Sequence, residues 1–146
     1  MDIARSSIWI EHNMEIAHRL LNLPGKCENI HGHSMHVKMT IFGRVDENGI
    51  LAGLDFGSVK KVFRNYIDEL FDHHLHLNQE DPWSLLPLPG LVTWPGDPTT
   101  ENLARWICEW AWQTWGMIVG VEQIVITIQE TKTNGAQYAL GAFSED

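Results

Sequence analysis

The sequence predicts an α+β domain whose elements run strand, strand, helix, helix, strand, strand. Alternate-residue apolar periodicity marks both ends of the 146-residue chain, and apolar residues spaced three and four apart mark two middle segments. Between those segments lies a stretch rich in proline and glycine with no regular period. With 44% hydrophobic residues and seven Trp, a single domain over residues 1–146 has enough apolar side chain for one packed core.

Ile8, Ile10, His12, Met14, Ile16 and His18 share one parity and predict a first strand with a mostly apolar face. His31, His33, Met35, Val37, Met39, Ile41 and Val45 do the same for a second strand, which the turn residues Asp46-Glu47-Asn48-Gly49 close. Val59, Val62, Phe63, Tyr66, Ile67 and Leu70 predict an amphipathic helix from about Ser58 to the cluster Asp72-His73-His74-Leu75-His76. Residues 78–98 hold five of the six prolines and read as a long loop ordered by Trp83 and Trp94; loops of that length are often functional. Asp97-Pro98-Thr99 is a helix entry, and Leu103, Trp106, Ile107, Trp110 and Ala111 give a second apolar stripe that stops at Gly116. Val121 to Glu130 alternates with Ile124, Ile126 and Ile128 on one face, and Lys132-Thr133-Asn134-Gly135 turns the chain into a last strand over 137–140. Four strands cannot close a barrel alone, so the sheet edges call for pairing with other copies.

The net charge of −9 with only ten Lys and Arg argues against a nucleic-acid surface, which would need basic side chains against phosphate. No apolar run approaches the ~20 residues of a membrane span. The opening Met1-Asp2-Ile3-Ala4-Arg5 lacks the regions of a signal peptide, so a cytoplasmic location is expected. Cys27 and Cys108 are then expected as free thiols, Cys108 as a small buried hydrophobe between Trp106 and Trp110.

The chemistry gathers at Cys27-Glu28-Asn29-Ile30-His31-Gly32-His33. Side chains two apart on a strand share a face, so His31 and His33 can converge on one metal ion. His18 lies on the apolar parity of its own strand, and three imidazoles suit a catalytic zinc that keeps an open position. Cys27 beside Lys26 has a cationic neighbour that favours thiolate. Glu130 places a carboxylate on a core-facing parity at a strand end. Each has a bland competitor: a hydrogen-bonded structural histidine for His18, a turn charge for Glu130, and a polar rim or separate metal site for His73, His74 and His76.

In order along the chain, Met14-Glu15-Ile16-Ala17-His18-Arg19-Leu20, Cys27 with His31-Gly32-His33, Asp72-His73-His74, Pro98-Thr99-Thr100-Glu101-Asn102 and Gln129-Glu130-Thr131 resemble the 6-pyruvoyl-tetrahydropterin synthase family. They are most similar to its bacterial branch of 6-carboxy-5,6,7,8-tetrahydropterin synthases in queuosine biosynthesis. The resemblance implies the T-fold: four antiparallel strands with two helices on one face, three subunits closing a barrel and two barrels stacking into a homohexamer. It implies Zn2+ on His18, His31 and His33, Cys27 as general base, and Asp72 orienting His73 as proton shuttle. Glu130 would anchor the pterin ring through paired hydrogen bonds, with Thr99, Thr100 and Glu101 bordering the pocket. The implied substrate is 7,8-dihydroneopterin triphosphate, with Arg19, Lys26 and Lys38 as candidates for its phosphates.

The chain departs from the family pattern at Met14, where phenylalanine is usual, at Ile16, where alanine is usual, and in a longer loop after Asn78. Leu75-His76-Leu77-Asn78 also carries an extra residue. Glu28 beside Cys27 resembles the glutamate of a subfamily that releases 6-hydroxymethyl-7,8-dihydropterin for folate synthesis. That activity, the 6-pyruvoyl product, and a non-catalytic zinc-stabilised pterin-binding module are the alternatives.

Overall fold

The computed structural model describes residues 4–143, so the expectation about the opening Met1-Asp2-Ile3 lies outside the described residues. β1 (Arg5–His18) and β2 (His31–Arg44) form a long antiparallel hairpin, followed by α1 (Phe56–Leu70), β3 (His74–Asn78), β4 (Leu91–Trp94), α2 (Thr100–Trp115), β5 (Val121–Gln129) and β6 (Gly135–Gly141). All pair into one sheet in the order β4-β3-β1-β2-β5-β6. The four long strands are the expected antiparallel set, β1 and β2 with β5 and β6.

The expected loop over 78–98 requires correction. Asn78 ends β3, a 3-10 turn covers Pro82–Leu85, and β4 follows, so two short strands extend the sheet in parallel beyond β1. Elements of four and five residues are too short to print a period, and their pairing partners lie far away in sequence. Trp94 is ordered as expected: its ring stacks on Trp106 at 4.3 Å.

Alternation sorts each long strand into two faces. Ile10, Met14 and Ile16 of β1, Met35, Val37, Met39 and Ile41 of β2, and Ile124, Ile126 and Ile128 of β5 are all buried on the helix side. Val59, Phe63 and Ile67 of α1 meet them, as do Leu103, Ala104, Ile107, Cys108 and Ala111 of α2. The helices lock to each other through Tyr66, stacked on Trp110 at 3.7 Å. Cys108 is fully buried and free, as is expected of a small apolar filler, and burial pushes its thiol up to about 11.

Helix boundaries follow capping chemistry. Asp55 accepts the Ser58 N–H and starts α1 two residues before the expected Ser58, and Thr99 accepts the Asn102 N–H to start α2. At Gly43, where the β2–β5 register shifts, a Cβ would lie 2.1 Å from the Gly120 carbonyl oxygen, so only glycine fits. No helix among the described residues is long and apolar enough to cross a membrane.

Candidate active site

The β1–β2 register assembles the histidines. His18 and His31 face each other as Cα partners at the open end of the hairpin, and His33 lies opposite Ile16 on the same helix-side face. Ring centroids are 4.6 Å apart for His18 and His31, 5.1 Å for His18 and His33, and 5.0 Å for His31 and His33. One ligand atom from each lies within 4.8 Å of the others. Gly32 between the two β2 histidines lets the strands approach, since a Cβ there would stand 3.1 Å from the Ile16 carbonyl oxygen.

Hydrogen bonds select the tautomers. The His18 Nδ1–H donates to the Pro98 carbonyl at 2.7 Å, and the His31 Nδ1–H donates to the Asn29 carbonyl at 2.7 Å. A carbonyl only accepts, so each neutral ring keeps a lone pair on Nε2. The Nε2 atoms of His18 and His33 are buried without a hydrogen-bond partner. Buried nitrogens without partners are costly, and a shared cation bound to both lone pairs would satisfy them. Burial pushes the His18 pKa down and the neighbouring His31 and His33 add to this, against the opposing effect of the Pro98 carbonyl and Glu130. The ring is therefore neutral and ready to bind a metal near pH 7. The mutual spacing, the His18 and His31 tautomers and the two unpartnered Nε2 atoms all fit a metal ion.

Glu130 follows the last residue of β5 and reaches the same cluster. One carboxylate oxygen stands 3.8 Å from His33 Nε2, and the other accepts the Thr100 hydroxyl. The hairpin holds the base of Glu130 through its N–H to the Asn134 carbonyl at 3.0 Å. Thr99 caps α2, and Glu101 is exposed in the first turn of that helix.

Cys27 lies partly buried in the 3-10 turn Lys26–Glu28, and its carbonyl accepts the Leu20 N–H at 2.8 Å, two residues beyond His18. Lys26 and Glu28 flank it as exposed side chains. Asp72 and His73 form a pair of their own. His73 Nδ1–H donates to Asp72 at 2.8 Å, and the other Asp72 oxygen accepts the Glu15 N–H at 2.7 Å. Burial alone would raise the Asp72 pKa, but the Glu15 N–H and His73 together hold it below the usual carboxylate range. His73 has φ of 60°, a left-handed conformation that costs a non-glycine residue about 1–3 kcal/mol, and its N–H to the Glu15 carbonyl at 2.6 Å helps hold it there. Its side chain is 79% exposed, so the imidazole is presented to solvent on a fixed base.

The neighbouring histidines separate by role. His74 Nδ1–H donates to the Asp72 carbonyl, while the fully buried His76 donates to the Phe71 carbonyl and accepts the Trp94 indole N–H at 3.0 Å. Among the described residues, only His18, His31 and His33 form a group able to hold a metal. Of the phosphate candidates, Arg19 is taken up by the buried Asp81 at 3.2 Å and by the Trp83 ring, and Lys38 lies over Trp9. Sequence reasoning missed Asp81, a polar residue in the irregular stretch, and left His76 as a polar rim or a separate metal site; only their burial shows that both are structural.

The family model for 6-pyruvoyl tetrahydropterin synthase matches residues 7–140. The chain belongs to that family. The 6-carboxy-5,6,7,8-tetrahydropterin synthase of Rickettsia felis is 37% identical over 96 residues, covering 62% of this chain and 68% of the relative. The Synechocystis enzyme of the same name is 32% identical over 103 residues, covering 68% and 70%. Among solved structures, Plasmodium vivax 6-pyruvoyltetrahydropterin synthase superposes with a TM-score of 0.78 at 19% identity, over 95% of this chain and 99% of that one. The Caenorhabditis elegans 6-pyruvoyl tetrahydropterin synthase gives 0.68 at 21%, over 98% and 99%. The six-stranded sheet with two helices is thus the T-fold, and family membership makes a small pterin the class of ligand.

Proposed function

We propose that this chain converts 7,8-dihydroneopterin triphosphate, with uptake of water, to 6-carboxy-5,6,7,8-tetrahydropterin, acetaldehyde and triphosphate, in queuosine biosynthesis. The observation that carries the reading is the convergence of His18, His31 and His33, with two buried Nε2 atoms unsatisfied and the Glu130 carboxylate beside them. The identity of the bacterial relatives to 6-carboxy-5,6,7,8-tetrahydropterin synthases favours that product over the 6-pyruvoyl and folate alternatives.

The three histidines would hold Zn2+, which when bound polarises the substrate's side-chain oxygens and so acidifies the adjacent C–H. Glu130 accepts a ring N–H and the exocyclic amino group of the pterin, a pairing that fixes the ring in plane. Thr100 donates to the same carboxylate and sets its rotamer. Thr99 and Glu101, at the start of α2, border the pocket. Cys27 removes the side-chain proton as thiolate, and His73, oriented by Asp72, returns protons to the product. The exposed Glu28 has no part in this scheme. One T-fold unit spans the chain, and the working form is a cytoplasmic homohexamer built as a dimer of trimers. The edges at β4 and β6 support assembly, because each offers backbone groups to another copy.

The test is incubation of the zinc-loaded protein with 7,8-dihydroneopterin triphosphate, with pterin and aldehyde products identified by mass spectrometry. Acetaldehyde with the carboxy product is expected. Intact substrate would defeat the enzymatic reading, and full activity in Cys27→Ala would remove the proposed base.

A further inference from the structure

One carboxylate outside the proposed catalytic set joins three segments around His18. Asp97 Oδ1 accepts the Leu21 N–H at 3.0 Å and the Asn78 side-chain N–H at 3.0 Å, while Oδ2 accepts the Asn22 N–H at 2.8 Å. Leu21 and Asn22 lie just beyond the end of β1, and Asn78 ends β3, whose His76 is the Cα partner of His18. The loop that carries Asp97 is itself pinned to α2. The Asp97 carbonyl accepts the Asn102 side-chain N–H and the Thr99 N–H, each at 2.8 Å. The next residue is the buried Pro98, whose carbonyl receives the His18 Nδ1–H.

We propose that Asp97 is a positioning residue for the metal centre: by binding the chain after His18 to the loop that carries the Pro98 carbonyl, it sets the orientation and tautomer of the His18 ring. Pro98 has no N–H of its own to hold its place, so the carbonyl is located by the residues on either side. Asp97 is the side that reaches back to β1. If the strap loosens, the His18 ring loses its acceptor, its Nδ1–H tautomer is no longer favoured, and Nε2 is no longer held as the free lone pair. Burial tends to raise the Asp97 pKa, but the bonds from Asn78, Asn22 and Leu21 outweigh it and keep the carboxylate ionised. The metal half of this inference rests on the proposed role of His18 as a ligand. The ring-orientation half does not.

The test compares wild type with Asp97→Asn, which places an amide N–H against a backbone donor while keeping the size, and with Asn78→Ala, which removes one of the three donors. Two readouts are needed on the full-length protein. Zinc and cobalt dissociation constants from competition titration are expected to rise about 10–100-fold in Asp97→Asn and by a smaller factor in Asn78→Ala. Nitrogen NMR of the metal-free protein is expected to show His18 as the Nδ1–H tautomer in wild type and as a mixture in Asp97→Asn. Should Asp97→Asn fail to fold, Asn78→Ala carries both readouts. Unchanged metal affinity and an unchanged tautomer in the folded variants would overturn the proposal, even if their melting temperatures fell. A wild type that binds neither metal would sink the zinc reading instead, and the tautomer alone would then decide the strap.

Discussion

At the scale of single residues, the site separates groups by what each can exchange with its surroundings. Glu130 has a neutral hydroxyl on one oxygen and an imidazole 3.8 Å from the other, an arrangement that leaves acceptor capacity for a ligand. Glu130→Gln would turn one acceptor into a donor facing the pterin's own donors. Steady-state kinetics should show KM for the pterin raised about 10–100-fold, the worth of hydrogen bonds to a charged group, with zinc content unchanged. An unaltered KM would leave Glu130 as a turn residue. His73 is the other side chain whose chemistry is exposed to test. Its ring is anchored at Asp72 and 79% exposed, so His73→Ala should fold normally, and kcat should fall about 10²–10⁴-fold if the ring moves protons. A melting temperature that dropped with kcat intact would point to a purely structural pair.

Elements determine which histidines are chemical and which are structural. β1 and β2 present His18 and His33 with buried nitrogens lacking protein partners, and His31 beside them, whereas β3 buries His76 with both nitrogens bonded, between the Phe71 carbonyl and the Trp94 indole. Burial pushes the His76 pKa down from 6.5 to about 4, so the ring is neutral in the fold. In the unfolded chain an imidazole takes its proton below about pH 6.5, and in the fold only near pH 4. The unfolded state therefore binds more protons between those values, and stability that is complete above pH 6.5 declines as the pH falls toward 4. His76 alone should contribute about 3 kcal/mol to that decline. Urea midpoints of the metal-free protein at pH 7 and pH 5 capture about 2 kcal/mol of it, and His76→Gln, which keeps an acceptor for Trp94, should flatten the slope. An equally steep slope in that variant would assign the effect to other groups, His18 among them.

For the whole molecule, the question is what pairs with the sheet edges. The order β4-β3-β1-β2-β5-β6 leaves β4 and β6 outermost, and only the last three residues of β1 are paired to β3. Arg64 covers part of the remaining β1 edge by donating to the Glu11 carbonyl. Native mass spectrometry is expected to show six copies. A fully active monomer at micromolar concentration would remove the assembly from the proposed function.

Much of this protein is written in local periodicity. Alternation identified three of the four long strands and a turn signal the fourth, spacing of three and four identified both helices, and strand parity put His18, His31 and His33 on one face. Those features are legible because a strand or helix repeats its environment every two or 3.6 residues, so the pattern is carried by neighbours in sequence. The ordered motifs also sufficed to identify the family. Tertiary structure alone decided the rest. β3 and β4 exist because they pair with β1 and each other, Arg19 is occupied because Asp81 folds over it, and the ring orientation of His18 depends on the Pro98 carbonyl, 80 residues away in sequence. These are single contacts between distant segments. They have no period, and nothing in either segment announces its partner until the chain has folded.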